Sequence, residues 1–102
     1  MIHVVAEITT KAGCRDKVLE LFRAAAEKVR QEPGCIEYAA AVEIESGLPV
    51  QPAVRPNVIT VMEKWESLEA LNTHAAADAL HEFLEQAGPM MEGLTARVME
   101  PA

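Results

Sequence analysis

The sequence predicts an α+β fold of ferredoxin-like type: a split β-α-β-β-α-β antiparallel sheet with both helices on one face. Three observations carry it. Alternating apolar residues mark four strands, helical periodicity follows the first and the third of them, and the 102 residues suffice for one domain with a core of its own. The expected domain spans residues 1–102.

Ile2, Val4, Ala6 and Ile8 alternate with His3, Val5, Glu7 and Thr9, the period of a strand, and Lys11-Ala12-Gly13 ends it. From Arg15 to Gln31, Val18, Leu21, Phe22, Ala25 and Val29 recur at helical spacing, with Asp16 in the first turn where the helix dipole favours an acid. Pro33-Gly34 stops this helix. Period two returns through Ile36, Tyr38, Ala40, Val42 and Ile44, a second strand from about Cys35 to Ile44. Ser46 to Asn57 then forms the longest connection, with Gly47 and prolines at 49, 52 and 56, a length expected more of functional than of merely connecting loops. Val58 to Trp65 reads as the third strand, and Ser67 as an N-cap. Leu68, Leu71 and Ala75 share a helix face, but Leu80, Phe83, Leu84 and Ala87 fall about 120° round from it, so a break is expected between Ala76 and Asp78. Asp78 is expected to cap a second segment that Gly88-Pro89 ends, and Leu94 to Met99 is the last strand.

Composition narrows the function. Nine Lys and Arg stand against 16 Asp and Glu, a net charge of −7, which leaves no basic stripe to displace phosphate counterions and so excludes nucleic acid and disfavours anionic membranes. Cys14 and Cys35 lack any zinc or CxxC spacing and are expected as free thiols. The N-terminus meets Glu7 before any long apolar run, so no signal peptide or membrane span is expected, and a cytoplasmic location follows. The sheet face away from the helices keeps apolar members on either parity: Val5, Ala39, Ala41 and Met99 on one, Ile2, Val4, Ile36 and Val42 on the other. A water-facing sheet is more uniformly polar, so a homodimer with its two sheets covering each other is expected.

Two segments, Glu32-Pro33-Gly34-Cys35-Ile36-Glu37-Tyr38 and the run from Glu63 through Trp65, Glu66 and Ser67 to His74, resemble the antibiotic biosynthesis monooxygenase family. The opening Val4-Val5-Ala6-Glu7-Ile8, the loop with Gly47 and Gln51, and the ending Glu100-Pro101 look like its bacterial quinol monooxygenase branch. The resemblance implies dimeric α+β barrels with an apolar pocket between sheet and helices. It also implies oxygenation of a quinol or polycyclic phenol by molecular oxygen with no metal, haem or flavin, since a deprotonated hydroquinone supplies its own electrons.

On that reading His74 is the first candidate catalytic residue, because histidine accepts a phenolic proton near neutrality. Tyr38, the only tyrosine, can donate to a reduced oxygen, and Trp65, the only tryptophan, can stack on an aromatic substrate. Each is equally open to a purely packing role at this point. Phe22, Met62, Glu63, Leu71 and Phe83 are the candidate substrate-binding residues, with Leu84 a further wall, and Glu32 is expected to interact with backbone at the helix exit. Many relatives carry a second histidine about five residues after the first, where this chain has Ala79, with His81 two further on. His74, Asp78, His81 and Glu85 would align as a metal face only on an unbroken helix, so no metal is expected. The alternatives are a quinone-binding module without turnover and an isomerase of a small sugar-derived ketone. The latter needs pocket cations to hold phosphate, for which Arg55 and Arg97 are the candidates.

Overall fold

Four strands, β1 (Ile2–Thr10), β2 (Cys35–Ala41), β3 (Val58–Trp65) and β4 (Met91–Met99), form one antiparallel sheet in the order β2-β3-β1-β4. Three helices, α1 (Arg15–Val29), α2 (Leu68–Ala75) and α3 (Asp78–Ala87), follow the first and third strands, and a 3-10 turn at Gly88–Met90 leads into β4. The computed structural model describes all residues, 1–102. The ferredoxin-like arrangement is as the sequence predicts, refined to β-α-β-β-α-α-β by the break in the second helical region.

That break falls at Ala76–Ala77. It lets α3 turn Ala79, Phe83 and Ala87 inward, where one straight helix would leave them off the α2 face. Asp78 opens the first turn of α3 and supplies charge to its N-terminus, while the cap position belongs to Ala77, which makes no side-chain bond. Ser67 does cap α2, its hydroxyl accepting the Ala70 N–H at 3.1 Å.

Other boundaries differ from the pattern for local reasons. α1 stops at Val29, two residues short, because the Gln31 N–H bonds the Lys28 carbonyl and tightens the exit turn. β2 stops at Ala41 rather than Ile44: Glu43 leaves the ladder to accept the Arg55 N–H at 2.9 Å. Ile36 is the extra residue of a bulge against β3 and is 53% exposed. β4 begins at Met91, because a register shift at Thr9/Thr10 lets Thr10 pair with Met91 beyond Gly93.

The core lies between the helices and one sheet face. Val4, Ala6 and Ile8 of β1, with Ile59, Val61 and Trp65 of β3, pack under Val18, Phe22, Ala26 and Val29 of α1. Each large side chain so buried contributes roughly 1.5–3 kcal/mol. The other face is uncovered. It carries His3, Val5, Glu7 and Thr9 of β1, Met62 and Lys64 of β3, Ala39 and Ala41 of β2, and Arg97 and Met99 of β4. Val5, Met62 and Met99 are each more than a third exposed there. No helix is long and apolar enough to cross a membrane.

Candidate functional site

Gly34 sets the geometry from which the site is built. Its φ is +82°, and a Cβ there would lie 2.6 Å from the Ala70 Cβ, so the turn after α1 can pack on α2 only with glycine. The Gly34 carbonyl accepts the Glu66 N–H at 2.8 Å and holds the start of α2 to the same turn. This close approach brings Glu32, just before Pro33-Gly34, against His74 in the last turn of α2.

Glu32 Oε1 lies 2.8 Å from His74 Nδ1, and His74 is only 4% exposed. A carboxylate can only accept, so Nδ1 carries the proton of this contact, and in the neutral form of the ring Nε2 is the nitrogen left with a lone pair. Glu32 therefore binds and orients the histidine, in place of the backbone contact expected for it. Trp65 stacks on the other side of the imidazole, centroids 4.7 Å apart and planes at 27°, and Tyr38 meets it edge-on at 5.3 Å. The indole Nε1 of Trp65 donates to Glu63 Oε1 at 2.9 Å. Glu32, His74, Trp65 and Glu63 thus form one continuous chain of contacts.

This chain borders a cavity of about 310 Å³ between the sheet and α2 and α3, with 14 of its 17 lining residues hydrophobic. That is within the range of small-molecule sites. Phe22, Tyr38, Glu63, Leu71, His74, Phe83 and Leu84 all line it. Leu94, Ala96 and Val98 complete the wall on β4, which the helices leave exposed. No buried side-chain nitrogen or oxygen lacks a partner, yet His74 Nε2, the Tyr38 hydroxyl and Glu63 Oε2 bond to no protein group. Those three atoms are therefore the accessible polar points of the lining, together with the Asn72 amide.

Burial, reinforced by Glu63 and Glu32, pushes the Tyr38 phenol far above its ordinary range, so it stays a neutral donor. Burial also raises the Glu63 carboxyl, against the pull of the Trp65 hydrogen bond and of His74. Cys35 is raised chiefly by burial and then by Glu32 and Glu63, which makes it an unreactive thiol near neutrality.

Two expected residues stand elsewhere. Met62 is on the opposite sheet face and 42% exposed, because it sits between Val61 and Glu63 in a strand of period two. Trp65 is fully buried behind His74 and has no place on the cavity surface. Arg55 and Arg97 also belong to the uncovered face: Arg55 pairs with Glu7 and Glu43, and Arg97 lies opposite Val5. The cavity lining holds no lysine or arginine, and with it nothing to hold the phosphate of a sugar-derived ketone. No group of three or more His, Cys, Asp and Glu side chains is disposed to hold a metal, and His74 and His81 fall on separate helices. Glu32, expected to contact backbone at the helix exit, meets His74 instead. Its signal was an acid before Pro-Gly in the same signature pair as His74.

Comparison with known proteins adds a family and a fold. The family model described as antibiotic biosynthesis monooxygenase matches residues 1–86. A curated relative from Escherichia coli K12, named probable quinol monooxygenase YgiN, is 32% identical over 99% of this chain and 98% of its own. Among solved structures, one titled antibiotic biosynthesis monooxygenase superposes with a TM-score of 0.82 at 26% identity, covering 100% of this chain and 99% of that one. A conserved protein from Methanosarcina mazei Go1 superposes at 0.83 and 22% identity, over 99% and 92% of the two chains, a likeness of fold.

Proposed function

The chain belongs to the antibiotic biosynthesis monooxygenase family, and from that premise we propose that it oxygenates a quinol or polycyclic phenol with molecular oxygen, using no metal, haem or flavin. The observation that carries the reading is the Glu32–His74 pair, its free Nε2 on the wall of an apolar cavity beside a neutral Tyr38 hydroxyl.

A substrate hydroxyl in the cavity gives its proton to Nε2, and Glu32 lies beside the imidazolium so formed. The phenolate is electron-rich enough to reduce oxygen itself, and Tyr38 donates a hydrogen bond to the anion that develops. For a quinol the products are a hydroxyquinone and water. One ring C–H becomes C–OH, the two hydroxyls become carbonyls, and the second oxygen atom leaves with the two remaining hydrogens. Trp65 takes a positioning part, stacked behind the base.

The same proposal takes residues 1–102 as one domain, working in the cytoplasm as a homodimer closed through the uncovered sheet face with Val5, Met62 and Met99 at its centre. Light scattering at micromolar concentration should give twice the chain mass, and a monomer would contradict the pairing.

The activity is tested with menadiol in an oxygen electrode, using protein stripped of metal. Uptake above the spontaneous rate, with one labelled atom from ¹⁸O₂ in the product, supports the reading. No rate above autoxidation with any hydroquinone overturns it, and binding of menadione without uptake selects a quinone-binding module instead.

A further inference from the structure

The cavity has a charge character that its apolar lining conceals. Glu63 is its one acidic side chain, only 8% exposed, and no lysine or arginine shares the wall. One carboxylate oxygen is held by the Trp65 indole N–H at 2.9 Å, and the other has no protein partner and is not sealed off. Behind His74 stands a second carboxylate, Glu32, side chain 18% exposed and directed at the imidazole. The remaining polar points, the Tyr38 hydroxyl and the Asn72 amide, carry no charge. A ligand in this space meets a buried negative charge with no buried cation apart from a protonated His74 to offset it.

We propose that Glu63 is a specificity-determining residue that restricts the cavity to uncharged hydroxyaromatic ligands, accepting a hydrogen bond from a ligand hydroxyl through Oε2 and rejecting aromatic carboxylates and phosphates. This deepens the reading above and rests on it for the ligand class, but the selection itself is a property of binding. Two physical terms act together. A carboxylate in a water-poor site repels a second anion far more strongly than it would in water. A site built to receive a hydroxyl proton also leaves its own acceptor unpaired when a carboxylate or phosphate oxygen, which has no proton to give, takes that place. The burial that raises the Glu63 carboxyl is consistent with a group set in a low-dielectric wall.

The test compares two ligands of nearly one shape, 1-hydroxy-2-naphthamide, which is neutral, and 1-hydroxy-2-naphthoate, an anion at neutral pH. Isothermal titration of the wild-type protein should show the amide binding about tenfold or more tightly than the carboxylate. In Glu63→Gln, which keeps an oxygen for the Trp65 N–H, that ratio should fall by about tenfold, chiefly through tighter binding of the carboxylate. Equal affinities in the wild-type protein, binding of neither ligand, or an unchanged ratio in a folded Glu63→Gln variant would each overturn the proposal, and the wild-type comparison decides even if the variant does not fold. Oxygen uptake separates this from the activity. Charge selection without turnover leaves the inference standing and removes the oxygenase reading, while turnover without charge selection does the reverse.

Discussion

The two faces of the sheet are made by alternate residues of the same strands, yet they treat charge in opposite ways. On the helix side, the polar groups are few, buried and linked: Glu32 to His74, His74 against Trp65, Trp65 to Glu63. On the uncovered side, Arg55 bridges Glu7 at 2.7 Å and Glu43, and Lys64 meets Glu37 at 3.3 Å, with most of these side chains a third or more exposed. Both faces therefore contain well-formed ion pairs and hydrogen bonds. What differs is water, which screens the outer pairs to little net worth and leaves the inner ones at full strength. Chemistry is expected where the dielectric is low, and adhesion to a second copy where exposed apolar residues and screened charges are mixed.

The largest test of that contrast is His74→Ala, expected to lower menadiol-dependent oxygen uptake by about 10²- to 10⁴-fold, the usual worth of a positioned general base. Loss below threefold would remove His74 from the chemistry. Glu32→Gln keeps a hydrogen-bond acceptor for Nδ1 but removes the charge facing the imidazolium, so uptake should fall about tenfold or more. Retention of full activity would reduce Glu32 to a packing contact.

Glycine substitutions compare the two sides by stability. Gly34→Ala adds a Cβ 2.6 Å from Ala70 at a positive φ and is expected to destabilise by ~1–3 kcal/mol, read as a lower Tm. Gly93→Ala, on the uncovered face with nothing within 4 Å, should stay within about 0.5 kcal/mol of wild type. Similar shifts for both would mean that the turn does not hold α2.

Two pH experiments carry opposite signs. Burial raises the Glu63 carboxyl, so its contribution to stability is fully present below its unfolded pKa and lost as the pH rises through the folded one. At neutral pH the carboxylate thus burdens the fold, and Glu63→Gln should raise Tm by a few degrees at pH 7.5 with the gain fading towards pH 4. An equal or lower Tm at both pH values would show that the wall is not water-poor. Glu7 and Glu43 are lowered instead, first through hydrogen bonds from Arg55, so their contribution is present above the unfolded pKa and lost as pH falls through the folded values. Arg55→Ala should lower Tm only slightly at pH 7, and less still in high salt or below pH 4. A large effect there would break the comparison, because it would make the screened face the stronger one.

Much of this was legible along the chain. The strand alternation from Ile2 to Ile8, the helix through Val18, Phe22 and Val29, the β3 limits and the break before Asp78 all follow from periodicity, which is a local property. Gly34, Tyr38 and His74 were marked by the two signatures. The Met62 placement failed for a different reason: its strand was correct, but a side chain's face depends on the parity that the covering helices select. Glu32 and His74 are 42 residues apart, and their pairing depends on the packing of a turn against a helix.

The sequence by itself determined the order and type of the elements, the acidic balance of 16 Asp and Glu against nine Lys and Arg, and the two segments that carry the family, because each of these is written in composition and spacing within a few residues. Only the tertiary structure decided that Glu32 meets His74, that Trp65 stacks on His74 rather than lining the cavity, and that Glu63 faces inward while Arg55 and Arg97 face away. Those are matters of which groups lose their water together, and that is settled by long-range packing of surfaces that no local pattern describes.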